Sequence, residues 1–183
     1  YLDHYFYNGK KISLLERIES ILQQIPSIQK VIICSYDDSY ELPKQYVSWQ
    51  TILQETTLDE TFEEFDFNHP LYILYSSGTT GVPKCIVHGA GGSLLEQKKE
   101  LLLHCDVKDK DNIFYFTTTG WMMWNWLVAS LSCGASIKLY DGSPFYPNKE
   151  TLIQYCQDHQ FSLFGLNAKY IDFLKKEKFS ADK

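Results

Sequence analysis

A short run of the chain combines glycines, hydroxyl side chains and a lysine. Residues 75–84 read YSSGTTGVPK, and the apolar stretch LYILY leads into them. Glycines let a backbone approach an anion closely, and backbone amides, hydroxyl groups and an ammonium group are donors that hold phosphates. The spacing matches neither GxxxxGK[ST], which opens a helix, nor the dinucleotide fingerprint GxGxxG. Because the residues after Lys84 are also typical of a strand, we expect a flap over phosphates that joins two extended segments; an ordinary hairpin turn is the alternative.

A second run, GWMMWNW at residues 120–126, is almost entirely apolar. The pattern predicts a helix that is apolar on all sides, which favours a place in the core. The run also follows a predicted strand that leads into TTT, and ligands of parallel α/β sheets bind beyond the carboxyl ends of strands. The alternative is therefore that part of it lines a small pocket. For His88, after the second extended segment, a place near such a site and a hydrogen-bonded place in the core both remain open.

The cysteines and histidines do not form a metal-binding pattern. The five cysteines are widely spaced and include no CxxC pair, and the five histidines show no HExxH spacing. Reduced thiols of a cytosolic protein explain such cysteines best, and we predict no zinc or other metal site in this chain.

Composition excludes several classes of protein. Hydrophobic residues make up 44% of the 183 residues, which is enough for a core, and the net charge of −6 argues against nucleic acid as a partner. No apolar run is long enough to span a membrane, and the N-terminus does not resemble a signal peptide. The missing initiator Met suggests a start inside a longer polypeptide.

Helices and strands alternate along the chain. Apolar periodicity and breaking residues predict helices at 11–25, 49–54, 94–104, 121–133, 149–159 and 168–178, and strands at 31–34, 72–75, 84–87, 112–117, 136–140 and 161–166. Pro26 and Gly134 end two of these helices. This alternation predicts an α/β fold with a largely parallel sheet and helices on both faces. We expect the acidic stretch 58–66 to be a solvated connection without chemistry.

YSSGTTGVPK resembles the phosphate-binding signature of the adenylate-forming superfamily. Within it, the succession of YNGK, SSGTTGVPKCIVH, GWMMWNW and LYDGSP resembles the acetoacetyl-CoA synthetase family. Cys85 is normal after the loop lysine in that family, whereas acetyl-CoA synthetases carry glycine there. The resemblance covers nearly the whole chain and is weakest at residues 35–66 and after residue 165.

The resemblance implies a reaction and a set of residues. A carboxylate attacks ATP to form an acyl-adenylate and pyrophosphate, and coenzyme A then displaces AMP. The residues implied to bind the ATP phosphates are Ser76, Ser77, Gly78, Thr79, Thr80, Gly81 and Lys84. Trp121, Met122 and Met123 are implied to line the acyl pocket, and a place near the site is one of the two alternatives for His88. The implied substrates are acetoacetate, ATP and coenzyme A, and the ligands of Mg²⁺ are expected outside this chain.

Family members are much longer, which shapes the expected domain organisation. We expect residues 1–183 to be an incomplete N-terminal adenylation domain, inactive by itself, that lacks the C-terminal domain and partners with the missing remainder of its own chain. Residues 1–70 would be an upstream helix and strand with an irregular connection, and residues 71–183 the phosphate-loop and acyl-pocket region. Two alternatives remain: a ligase for acetate, propionate or butyrate, and a truncated non-catalytic module that binds nucleotide or a partner.

Overall fold

The computed structural model describes residues 1–37, 42–55, 61–76 and 81–180. The chain divides into two compact units, of which the first comprises Tyr1–Phe62 with Gly142–Asn148 and the second Glu63–Asp141 with Lys149–Lys183. Both units contain helices and strands, which confirms the predicted α/β class.

The first unit begins with a β-hairpin and continues as a small α/β arrangement. Its elements are β1 (His4–Tyr7), β2 (Lys10–Ser13), α1 (Leu15–Gln24), β3 (Ile32–Ile33), β4 (Val47–Ser48) and α2 (Trp49–Glu55). The turn between β1 and β2 places Asn8 and Gly9 at φ of 50° and 73°, the left-handed conformation of tight hairpin turns. Helix α1 begins later than its apolar pattern predicts, because residues 10–13 pair with β1 instead.

The core of the first unit lies between α1 and β3, and a polar pair is buried in the same unit. Ile18 and Ile33 are fully buried there together with Val31 and Tyr46. Asp3 and His4 are 2% and 3% exposed, and His4 Nδ1 lies 3.0 Å from Asp3 Oδ2. Asp3 Oδ1 accepts hydrogen bonds from the backbone amides of His4 at 2.8 Å and Tyr36 at 2.9 Å. This carboxylate therefore connects β1 with the segment that follows β3.

The second unit contains a three-stranded parallel sheet with helices on both faces. Its strands are β7 (Asn112–Tyr115), β8 (Ser136–Lys138) and β9 (Leu163–Gly165), in the order β8-β7-β9. Its helices are α4 (Met122–Ala129), α5 (Thr151–Asp158) and α6 (Ala168–Lys176). Ile113 packs in a cluster with Leu127 of α4, whereas its neighbour Phe114 packs with Leu152 of α5 and Leu174 of α6. Successive strand residues thus enter different cores, as expected for a sheet covered on both sides.

An antiparallel hairpin precedes this sheet in the second unit. It consists of β5 (Pro70–Ser76) and β6 (Lys84–Gly89), and α3 (Ala90–Lys99) follows and continues in a π-helical turn at Glu100–His104. Helix α3 starts before the predicted residue 94, and Gly91 lies against the ring of Phe67 where a side chain would clash. Within the described ranges, no helix is long and apolar enough to cross a membrane.

Candidate functional site

The hairpin positions both ends of the YSSGTTGVPK run. Strand β5 ends at Ser76, β6 begins at Lys84, and these two residues are register partners. The structure thus agrees with the expectation that the run joins two extended segments. Four of the predicted phosphate-binding residues, Ser77, Gly78, Thr79 and Thr80, lie outside the described residues. Gly81 is described and has a φ of +143°, a conformation that residues with a side chain rarely adopt.

The two faces of the hairpin differ in surroundings. Register partners of an antiparallel pair project to the same side, so three pairs share what we call the site face: Ser76–Lys84, Leu74–Ile86 and Tyr72–His88. The opposite face carries Ile73–Val87 and Tyr75–Cys85. Ile73, Tyr75 and Val87 are more than half exposed, whereas Tyr72, Leu74 and Ser76 are half-buried. Along β5 the site face is therefore the more buried side, whereas Lys84 and Ile86 of β6 are exposed on it.

Two clefts lie beside the hairpin and share two methionines; residues of the site face contribute to both. The small cleft, of about 350 Å³, is lined by Leu74, Tyr75, Gly120, Trp121, Met122 and Met123. The large cleft, of about 760 Å³, includes Tyr72, His88, Gln97, Met122, Met123 and Trp126 in its lining. The predicted acyl-pocket residues and His88 thus line clefts beside the strands that carry Ser76 and Lys84.

The residues of GWMMWNW divide between the core and the clefts, and their place at an acyl pocket stays a prediction. Trp126 is 9% exposed and belongs to the core cluster with Leu127, whereas Trp121 is 61% exposed. Trp121 precedes the first turn of α4 and has an extended backbone. Met123 packs partly against the core and lines both clefts, so the change from core to cleft takes place within one helical turn.

The large cleft contains a polar arrangement that the sequence did not reveal. Gln97 of α3 is 9% exposed, and its Nε2 donates a hydrogen bond to the Tyr72 hydroxyl at 3.0 Å. The ring of Tyr72 packs against the ring of His88, with centroids 5.2 Å apart. Gln97 stands in the polar string EQKKE, so no local pattern distinguishes it from a solvated helix residue.

Charge differs between the two ends of the site face. Glu96 and Glu100 line the large cleft, and Lys99 Nζ lies 3.3 Å and 2.9 Å from their carboxylates. The hydrogen bond from Lys99 lowers the pKa of the Glu100 carboxyl group, which is therefore ionised at neutral pH. At the other end, no carboxylate in the described part of the chain pairs with Lys84. One end of the face thus presents a cation with no carboxylate partner among the described residues, and the other end presents two carboxylates that share one lysine.

The described residues do not provide an evident metal centre. Within those ranges, no group of three or more His, Cys, Asp and Glu side chains is close enough to hold a metal ion. The five cysteines are free thiols, and Cys85 is exposed on the hairpin face opposite the site.

Comparison with known proteins identifies the family. The family model described as AMP-binding enzyme matches residues 6–182. The chain is 44% identical to an acetoacetyl-coenzyme A synthetase of Rhizobium meliloti, over 97% of this chain and 28% of that protein. It is 35% identical to a malonamoyl-CoA synthetase of Penicillium aethiopicum, over 94% of this chain and 27% of that protein.

A solved structure supports the same assignment. The structure of acetoacetyl-CoA synthetase from Streptomyces lividans superposes with a TM-score of 0.89 at 38% identity, covering 97% of this chain and 27% of that one. The chain therefore spans a little over a quarter of the length of the relatives it matches. A family match over nearly all of its residues, together with this structural similarity, shows that the chain belongs to the AMP-binding enzyme family.

Proposed function

We propose that the chain forms the phosphate-loop and acyl-pocket part of an ATP-dependent acid–thiol ligase that activates acetoacetate. One observation carries the proposal. The β5–β6 hairpin of this chain, which belongs to the AMP-binding enzyme family, places Ser76 and Lys84 on the strands beside the clefts lined by Met122 and Met123. A nucleotide held by the first pair and an acid held by the second would meet along one surface.

In the proposed reaction, a carboxylate oxygen of the acid attacks the α-phosphorus of ATP. A bond from that oxygen to phosphorus forms, the bond to the bridging oxygen breaks, and pyrophosphate leaves. The thiolate of coenzyme A then attacks the acyl carbon and AMP leaves. Because anionic groups must approach one another, catalysis requires charge neutralisation and positioning.

The phosphate loop would provide part of that neutralisation. Backbone amides and hydroxyls of residues 76–81 would hold the β- and γ-phosphates, and Lys84 would contribute a positive charge at the base of the loop. Mg²⁺ would screen the phosphates further. No donor set among the described residues fits it, and the family resemblance implies that its ligands lie in the remainder of the polypeptide.

The choice of acid rests on the relatives and on the character of the cleft. Acetoacetyl and malonamoyl, the acyl groups in the names of two relatives, both carry a carbonyl on the third carbon. Acetate, propionate and butyrate have no such oxygen. Trp121, Met122 and Met123 would surround the short acyl chain, and methionine suits an irregular small pocket because its side chain adapts its shape.

The remaining assignments follow from the same proposal. ATP, coenzyme A and the acid would be the partners, together with the remainder of a longer polypeptide, and nucleic acid would not be one. The free thiols are consistent with a cytosolic protein.

The test is acid-dependent pyrophosphate release by the polypeptide encoded by the complete reading frame that contains this chain. With ATP, Mg²⁺ and coenzyme A present, we expect the highest kcat/KM with acetoacetate among acetoacetate, acetate, propionate and butyrate. A higher value for one of the other acids would favour the alternative short-chain ligase. If no acid supports release, the chain belongs to a non-catalytic module and the proposal is wrong.

A further inference from the structure

The tyrosine hydroxyl in the large cleft has a proton that the protein itself does not use. A glutamine amide nitrogen only donates hydrogen bonds, so the contact from Gln97 Nε2 makes the Tyr72 oxygen an acceptor. Its own O–H remains available as a donor. Among the described residues no acceptor receives it, and the residues around it line a cleft of about 760 Å³.

The position of Tyr72 along the strand relates this donor to the acyl pocket. Tyr72 lies two residues before Leu74 on the site face of β5, and Leu74 lines the small cleft with Met122 and Met123. Two strand residues span about 7 Å. An acid whose carboxylate lies beside Leu74 therefore directs the far end of its short chain towards the Tyr72 hydroxyl.

The charges favour this orientation of the acid over the reverse one. Glu96 and Glu100 line the large cleft and share one cation, Lys99, so a carboxylate placed there meets a net negative charge. Lys84 lies at the opposite end of the site face, across from Ser76. The acid is therefore expected to point its carboxylate towards Lys84 and its uncharged end towards Tyr72.

We propose that the Tyr72 hydroxyl donates a hydrogen bond to the carbonyl oxygen on the third carbon of the acid and so determines specificity for 3-oxo acids. Gln97 is a positioning residue, because its amide holds the Tyr72 oxygen and leaves the hydroxyl proton for the substrate. His88 supports the Tyr72 ring from the neighbouring strand. This inference rests on the proposed function and names the substrate group that the site recognises.

The experiment compares acetoacetate with butyrate, which has the same number of carbons and no oxygen on the third. In the polypeptide from the complete reading frame, Tyr72→Phe is expected to lower kcat/KM for acetoacetate about 10- to 100-fold. The inhibition constant of butyrate against the acetoacetate reaction should stay within about twofold, because an apolar chain makes no use of the hydroxyl. Tyr7→Phe, at an exposed tyrosine of β1, is the matched control and should change neither value.

Gln97→Glu tests the positioning role at nearly constant side-chain size. A glutamate carboxylate accepts the Tyr72 proton instead of donating to its oxygen, so acetoacetate should lose affinity while butyrate does not. The inference is wrong if Tyr72→Phe impairs kcat/KM for acetoacetate and the inhibition constant of butyrate by equal factors. It is also wrong if kcat/KM for acetoacetate stays within about twofold of the value for the unmodified protein. If the unmodified protein releases no pyrophosphate with any acid, the proposed function fails first, which is a different result.

Discussion

Ser76 and Lys84 are register partners at the loop end of the β5–β6 hairpin. Opposed residues of an antiparallel pair have Cα atoms about 5 Å apart, so the run between them starts and ends at nearly one point. Whatever shape residues 77–83 adopt, the hydroxyl of one residue and the ammonium of the other remain on the same side of the sheet. This fixed base makes the contribution of each end separately testable.

Replacing Lys84 with methionine should weaken the use of ATP more than the use of the acid. The change removes a positive charge while retaining a chain of similar length, so we expect KM for ATP to rise at least about tenfold, with KM for the acid within about threefold. Steady-state pyrophosphate release with each substrate varied in turn is the measurement. Lys30→Met, at an exposed position of the first unit, serves as control. Equal changes in both KM values would argue against a phosphate-directed role for Lys84.

Gly81→Ala should destabilise the protein through the backbone alone. Gly81 has a φ of +143°, and no atom of the described residues lies within 4 Å of a β-carbon placed on it, so we expect the cost to come from conformation rather than from a clash. We expect the free energy of unfolding, measured with urea, to fall by about 1 kcal/mol. Gly120→Ala is the matched control, since its site is equally open and has no positive φ. Similar losses in the two variants would show that strain at residue 81 is not the cause.

Truncation at the two ends of GWMMWNW should affect different properties: stability at Trp126 and catalysis at Trp121. Trp126→Ala removes a buried ring from the core of the second unit and should cost about 3–5 kcal/mol in the free energy of unfolding. Trp121→Ala, at a largely exposed ring, should cost about 0.5 kcal/mol or less and lower kcat/KM for the acid instead. Urea denaturation combined with kinetics separates the two effects. A large stability loss at Trp121 would place that ring in the core.

Lowering the pH should remove the contribution of Asp3 to the stability of the folded protein. Burial raises the pKa of Asp3, but hydrogen bonds from the amides of Tyr36 and His4 and the contact with the His4 ring outweigh burial and hold the pKa below its usual 3.8. A lowered pKa in the folded state contributes stability that is present above the unfolded pKa and lost as pH falls through the folded one. Asp3→Asn should therefore lower the free energy of unfolding by about 1–3 kcal/mol near pH 7, and by progressively less below a pH of about 4.

The control for this prediction is Asp172→Asn, where an exposed carboxylate pairs with Lys176. Surface pairs of this kind contribute about 0.5 kcal/mol or less. Urea unfolding of both variants and the unmodified protein between pH 3 and 7 gives the comparison. A cost of Asp3→Asn that does not change with pH would contradict the stabilising role of the ionised carboxylate.

Local sequence signals predicted much of this fold. The breaking glycine at the end of helix 121–133 is Gly134, with a φ of 79°, and the strand pattern on either side of the phosphate run marks both strands of the hairpin. The β1–β2 hairpin was missed although Asn8-Gly9 is a strong turn signal. The start of α3 was missed because its first turns contain Gly91 and Gly92, which lower helix propensity.

The site was only partly predictable, for a different reason. The phosphate run and GWMMWNW each carry their chemistry in consecutive residues, so they stand out in a linear sequence. Tyr72 and Gln97 are 25 residues apart and meet only because α3 folds back beside the hairpin. The assignments of Ser77, Gly78, Thr79 and Thr80 stay predictions, since these residues lie outside the described ranges.

The alternation of side chains along β5 also restricts how the length of this strand can change in evolution. Tyr72 and Ser76 share a face because an even number of steps separates them. Insertion or deletion of one residue between them would turn one of the two to the outer surface, whereas a change of two residues would keep both inside. Natural variation in this strand should therefore favour substitutions and paired length changes over single-residue ones, and a laboratory library with one inserted residue at Ile73 should lose the coupling between nucleotide and acid.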